Sequence, residues 1–294
     1  MLVSTAKLAR QARENGYAVP AVNVFDGLSM RAVIAAAEAA SAPLIIQVSV
    51  KTLRDLGAGR ITSMFRDLVR DVTIPVALHL DHCPDRSVID QVLAERWSSV
   101  LFDASDRELV DAERETAEVV AAAHAVGVDV ESEIENIVGI EDGVGSDVAV
   151  HSYEVEQLAA VAKRTGVDLL APQLGTAHGE YRSSPNLLPE RAGRLARLSD
   201  LPIVLHGGTG LTEEQFGEFI DAGVSKINIS TAVKLSYMKA AAEHLDTARR
   251  SNKWDPPSLF SHVRRAVEAE IVQHIRSFRA EGRAHEALTT VTAS

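Results

Sequence analysis

Val76-Ala77-Leu78-His79-Leu80-Asp81-His82 is an apolar run that ends in a carboxylate and an imidazole. The same form returns twice. Leu169 to Leu174 is followed by Gly175-Thr176-Ala177-His178, and Pro202-Ile203-Val204-Leu205-His206 by Gly207-Gly208-Thr209-Gly210. If these runs are parallel strands of one sheet, the three imidazoles converge at its carboxyl edge, where α/β barrels put their chemistry. Three neutral imidazoles with a free fourth position are what a catalytic zinc requires. Any one of them alone would read as a satisfied core or turn histidine; the three together do not.

Working outward, short apolar runs alternate with longer Ala-rich amphipathic segments, the rhythm of repeated βα units. The expected strands are 18–23, 44–49, 76–81, 99–102, 128–134, 169–174, 203–206 and 226–229. Helical patterns cover 29–40, 108–125, 154–165 and 213–222. About eight such units close a (β/α)8 TIM barrel. From Thr231 onward the pattern is helical, broken at Asp255-Pro256-Pro257, so extra C-terminal helices are expected. No low-complexity linker divides the chain, which reads as a single domain over 1–294. An open doubly wound sheet would also place sites at strand ends. Polar residues at nearly every strand end, and no GxGxxG after the first strand, favour the barrel.

At 294 residues, 46% hydrophobic and 24% charged, the chain is ordinary for a globular protein with a sizeable core. Its net charge of -11 argues against nucleic acid as a partner, which needs a basic footprint. The single cysteine, Cys83, excludes an intrachain disulfide framework and fits a reducing compartment. Met1 to Gly16 is interrupted by Lys7, Arg10, Arg13 and Glu14, unlike a signal peptide, and no stretch is apolar enough for a bilayer. A soluble cytoplasmic protein without membrane partners is expected.

The strand ends read Asn23, Ser49, Asp81-His82, Asp103, Glu131 and Glu133, His178, His206 and Asn228. One such residue is usually a turn or helix cap; a whole ring of them gathers into a mouth. Asp81 beside His82 can orient a ligand or act as acid/base on a substrate; its alternative is a cap for the segment after Pro84. Glu131 and Glu133 share a face and join Asp103 in an acidic cluster that a cation would neutralise. The alternative is an outward-facing, solvated pair. Gly207-Gly208-Thr209-Gly210 and Asn228-Ile229-Ser230-Thr231 resemble an anion cradle. Loops after strands seven and eight are the usual phosphate site of this fold.

These motifs resemble class II, zinc-dependent ketose-bisphosphate aldolases, including fructose- and tagatose-bisphosphate aldolases. The resemblance is carried by Leu78 to His82, Gly175 to Gly179, Leu205 to Gly210 and Lys226 to Thr231, in the family's order. It implies zinc on His82, His178 and His206, and Asp81 as the acid/base on the substrate hydroxyl. Asp103 and Glu133 match positions that take a second cation in some members. Glu141, in Gly139-Ile140-Glu141-Asp142, matches the residue that exchanges a proton on dihydroxyacetone phosphate. Gly179, Gly207, Gly208, Thr209, Asn228, Ile229, Ser230 and Thr231 match contacts to that phosphate, some through a monovalent cation. Asn23 and Ser49 match positions near the reacting carbons. A homodimer or homotetramer is implied.

Aldol cleavage needs either a lysine Schiff base or a metal electrophile to accept charge. No buried lysine in an apolar strand stands out, whereas three histidines do. Lys51 after Ser49, Gln173 and Glu180 depart from the family pattern and bear on which aldehyde is accepted; the alternative for Lys51 and Glu180 is surface variation outside the pocket. Lys51 is expected to bind a distal phosphate or carboxylate of the substrate. Two other functions compete. A zinc barrel hydrolase or deaminase would show His-x-His on the first strand, which here reads Ala21-Val22-Asn23-Val24. A non-catalytic phosphosugar-binding subunit of an aldolase complex would have less reason to keep Asp81, the three histidines and Glu141.

Overall fold

The computed structural model describes residues 3–137, 139–141, 144–146, 151–179 and 185–286, with 140, 141 and 144–146 as backbone alone. Ten strands are found among them. They are β1 (Val19–Asn23), β2 (Leu44–Ser49), β3 (Val76–Cys83), β4 (Ser99–Asp103), β5 (Asp129–Glu133), β6 (Gly139–Glu141), β7 (Val144–Ser146), β8 (Leu169–Leu170), β9 (Ile203–Leu205) and β10 (Val224–Ile229). Eight are parallel and close in the order β1-β10-β9-β8-β5-β4-β3-β2. This is a TIM barrel with helices outside it. β6 and β7 form a separate antiparallel hairpin, with Glu141 opposite Val144.

Every position of β2 and β3 is buried. A barrel strand has side chains on one face and helices on the other, so neither face meets water. That is why these strands read as continuous apolar runs. It also means that Gln47, His79 and Asp81, which interrupt them, are held indoors with partners. The strand starts are closed by the helix Thr5–Glu14. Ser4 Oγ donates to Asp129 Oδ2 at 2.7 Å, and the Thr5 and Ser99 hydroxyls meet at 2.6 Å.

One strand is shorter than its apolar run implies. β8 ends at Leu170, although Ala171 N still donates to Ser132 O at 3.0 Å. Pro172 has no N–H to continue the ladder, and the chain leaves the barrel there. The C-terminal helices Thr231–Ser251 and Pro256–Ser277 pack on each other, and the second also packs on Gly27–Ala39. No helix among the described residues is long and apolar enough to cross a membrane.

Candidate active site

A strand normally sends Asp81 and His82 to opposite faces. Here both reach the barrel interior because β3 is irregular at that point. Its register against β4 shifts between Leu80 and Cys83, and His82 has φ +37. A left-handed φ on a non-glycine residue is costly and is kept only where the surroundings enforce it. Asp81 is not the cap of the segment after Pro84; Asp85 caps that helix, Arg86–Ala94.

The three sequence-selected histidines meet at the mouth. The ring centroid of His82 lies 5.0 Å from that of His178 and 4.7 Å from that of His206. His82 Nε2 and His206 Nδ1 are 2.9 Å apart. One ligand atom from each of the three lies within 4.8 Å of the others. The outer nitrogens are held from behind. His206 Nε2 lies 3.0 Å from Glu131 Oε1, and His82 Nδ1 lies 3.2 Å from Asp103 Oδ2 and 3.6 Å from Glu133 Oε2. A carboxylate on one ring nitrogen fixes the proton there and leaves the other nitrogen's lone pair for a metal.

His82, Asp103 and Glu133 form a second group within the same 4.8 Å limit, sharing His82 with the first. Asp103, Glu131 and Glu133 are all buried, so the pair on β5 is not a solvated outer face. Burial works against charge on His82, but Glu133, Asp81 and Asp103 outweigh it and hold its pKa well above the ordinary value. Burial pushes Glu133 up, and burial holds His206 down at about 4. Asp103 is brought to about 2 against its burial by hydrogen bonds from His82 and Ser105. A ring of carboxylates that forces a proton onto a buried imidazole has the charge deficit that a divalent cation fills. The donor set fits zinc: imidazole nitrogens with carboxylates behind them.

Asp81 is 2% exposed and held from two sides. Asn23 Nδ2 donates to its Oδ2 at 2.8 Å, and Asn228 Nδ2 lies 3.5 Å from Oδ1. Gln47 Nε2 in turn donates to Asn23 Oδ1 at 2.8 Å. Asn23 therefore spends both ends of its amide on orienting Asp81. Ser49 accepts a hydrogen bond from Thr52 N at 3.3 Å and caps the helix Val50–Leu56. Lys51 stands exposed on the first turn of that helix, at the rim of the same barrel end. Glu141 lies on β6, and its side chain is outside the described residues, as is all of Glu180.

The loops after β9 and β10 lie beside the histidines. Gly207 has φ +68, and a Cβ there would fall 2.4 Å from Ala177 O. Gly139, at φ +108, has the same relation to His178, whose carbonyl a Cβ would meet at 2.6 Å. The backbone carrying His178 thus passes between two glycines with no room for a side chain. Gly208 faces the Phe216 ring, and Thr209 lies in the turn that follows. Gly179 has φ +85, a backbone conformation that favours glycine, with no described residue crowding it. Ser230 precedes the 21-residue helix beginning at Thr231, and its buried Oγ has no hydrogen-bond partner among the described residues. Ile229, the last residue of β10, is buried behind it.

Sequence reasoning missed a buried lysine. Lys226 is completely enclosed on β10. Its Nζ lies 2.8 Å from Glu131 Oε2 and donates to Asn228 Oδ1 at 2.8 Å. Both contacts are spent inside the barrel wall, so its Nζ is engaged by Glu131 and Asn228 and turned away from the three histidines' open side. Gln47, His79, Glu135 and Arg191 were missed as well. The available signal for the first two was a polar residue inside an apolar strand. Glu135 and Arg191 gave none.

Comparison with known proteins finds relatives along nearly the whole chain. The model of the family "Fructose-bisphosphate aldolase class-II" matches residues 3–283. The fructose-bisphosphate aldolase of Geobacillus stearothermophilus is 35% identical over 286 residues, 96% of this chain and 99% of that protein. The fructose-bisphosphate aldolase of Staphylococcus aureus (strain Mu50) is 32% identical over the same shares. The crystal structure of the YdjI aldolase from Escherichia coli K12 superposes with a TM-score of 0.84 at 28% identity, over 97% of this chain and 100% of that one.

Proposed function

Because this chain belongs to the class II fructose-bisphosphate aldolase family, we propose that it cleaves and forms a phosphorylated ketose, with dihydroxyacetone phosphate as the ketone half. The observation that carries this reading is the convergence of His82, His178 and His206 beside an Asp81 locked by Asn23. The three histidines would hold zinc, and Asp103 and Glu133 with His82 offer a second cation position. Bound there, zinc supplies an electrophile that takes up charge as the carbon–carbon bond breaks.

The chain's own residues do the rest. Asp81 accepts the proton of the substrate hydroxyl at the carbon that becomes the aldehyde, and returns it in synthesis. Asn23 and Asn228 keep that carboxylate aimed at one place, so little reorganisation is needed at the moment of transfer. Glu141, on the hairpin whose foot touches His178, exchanges the proton on dihydroxyacetone phosphate. Gly179, Gly207, Gly208, Thr209 and Asn228 to Thr231 receive the phosphate, in part through a monovalent cation. The buried Ser230 hydroxyl and the start of the long helix supply donors of the required kind. Ser49 and Lys51 follow β2, separated from β10 by β1, and would meet a distal group of the ketose.

The test is purified protein with phosphorylated ketoses and added zinc. Triose-phosphate release that a chelator abolishes and zinc restores is the expected result. Release indifferent to chelator, or none with any bisphosphorylated ketose, would sink the reading.

A further inference from the structure

The loop that carries His178 is gripped from behind by an ion pair with a fully buried carboxylate and a largely enclosed guanidinium. Glu135, fully buried two residues past β5, faces Arg191 on the helix Pro189–Leu198. Arg191 Nη2 donates to Glu135 Oε1 at 2.8 Å, and Nη1 donates to Oε2 at 3.0 Å. Each carboxylate oxygen also accepts a backbone N–H, Oε1 from Tyr153 at 2.7 Å and Oε2 from Gln173 at 3.0 Å. Arg191 then donates to the carbonyls of the same two residues, Tyr153 at 2.5 Å and Gln173. Tyr153 and Gln173 are therefore each held by both members of the pair.

Those two residues stand at strategic points. Tyr153 lies beyond the β6–β7 hairpin that bears Glu141, as the chain returns toward the helix Val155–Thr165. Gln173 opens the turn that delivers His178 five residues later, and its Oε1 accepts from Gly175 N at 3.1 Å. Leu188 N donates to Leu174 O at 2.9 Å, tying the far end of this loop to its start. His82 and His206 sit at the ends of paired barrel strands. His178 does not, because β8 stops at Leu170. Its placement must come from elsewhere.

We propose that Glu135 and Arg191 are positioning residues for the metal site, holding the 171–179 loop so that His178 is pre-set opposite His82 and His206. This rests on the reading of those histidines as the zinc ligands. A ligand on a loose loop would lose conformational freedom each time the metal bound; a pre-set one does not. Surface ion pairs fix geometry poorly. A largely enclosed pair, whose carboxylate is fully buried and which also holds the backbone of two segments, fixes it well.

Glu135→Gln tests this in the whole protein. The amide keeps the size but must turn an N–H toward Tyr153 N or Gln173 N. Zinc affinity, measured by competition with a chelator well below the melting temperature, should fall about tenfold or more. Amide exchange across 171–179 in the zinc-free protein should rise by a similar factor. Turnover should recover at saturating zinc, since the ligands are intact. Glu113→Gln, which breaks the exposed pair with Arg164, should leave all three unchanged. A lowered melting temperature with unaltered zinc affinity and unaltered exchange would make the pair a stabilising interaction only and overturn the proposal. If Glu135→Gln does not fold, Arg191→Lys keeps the charge and loses the fork, and unchanged zinc affinity there overturns it equally. Wild-type zinc that survives His178→Ala would instead refute the ligand assignment, and the exchange measurement would still decide whether the loop is anchored.

Discussion

Lys226 Nζ lies 2.8 Å from Glu131 Oε2 inside the barrel, and neither side chain has any exposure to solvent. Two residues of opposite charge on β10 and β5 thus cross the interior directly behind the histidine cluster. Burial works to neutralise Glu131, but Lys226 and the hydrogen bond from His206 keep it ionised. The pair costs desolvation, and its return is a fixed His206. Lys226→Met should destabilise the fold by about 3–5 kcal/mol, because it leaves a buried carboxylate uncompensated. Lys226→Met with Glu131→Gln should recover much of that loss. Urea unfolding of the three forms would check this; an effect below about 1 kcal/mol for the single change would contradict it.

His82→Ala should remove bound zinc and metal-dependent turnover while the barrel stays folded. Metal content by elemental analysis and far-UV circular dichroism are the two measurements. Zinc and turnover that both survive would show that the ligands were wrongly chosen.

Asp81→Ala should keep zinc and lose at least roughly 10²–10⁴-fold in turnover, the usual contribution of a positioned acid/base. Asn23→Ala should show a smaller loss of the same kind, since it removes only the 2.8 Å bond that aims Asp81. If Asp81→Ala lost its metal together with its activity, the carboxylate would be a support for His82 instead.

A separate pH dependence of stability arises far from the site. Burial holds His274 down at about 4, with its ring stacked on Phe278 at 5.7 Å and Glu270 Oε1 3.5 Å from its Nε2. The folded pKa is below the unfolded value of about 6.5, so the unfolded chain binds more protons between them. The contribution is therefore complete above pH about 6.5 and is lost as the pH falls toward 4, to a ceiling of about 3 kcal/mol. His274→Leu should flatten the acid side of the stability profile; a parallel profile would show that other groups dominate it.

Lys51 stands on the rim formed by the helix after β2, with β1 between it and the loop after β10. Lys51→Ala should raise KM for the ketose much more than the inhibition constant of a dihydroxyacetone-phosphate analogue. Removing a charge-assisted hydrogen bond there would cost about 1.5–3 kcal/mol. Equal shifts in both constants would place Lys51 at the phosphate end, and no shift in either would leave it a surface residue.

By itself, the sequence determined the barrel, its eight parallel strands and the three histidines. Strands buried on both faces must be apolar along their length, so their number and their polar ends are written in the residue order. His82 and His206 follow directly from that rule. The tertiary structure decided what the order does not encode. The left-handed φ of His82, with the shifted β3 register, brings Asp81 and His82 to one side, and no pattern of residue types announces it. Lys226 could be recognised as an enclosed lysine only once β10 closed on β9 and set it against Glu131. Glu135 and Arg191, 56 residues apart, share no local signal at all. Periodicity reports which face of an element is buried, whereas a buried charge finds its partner through interactions that exist only after the chain has closed.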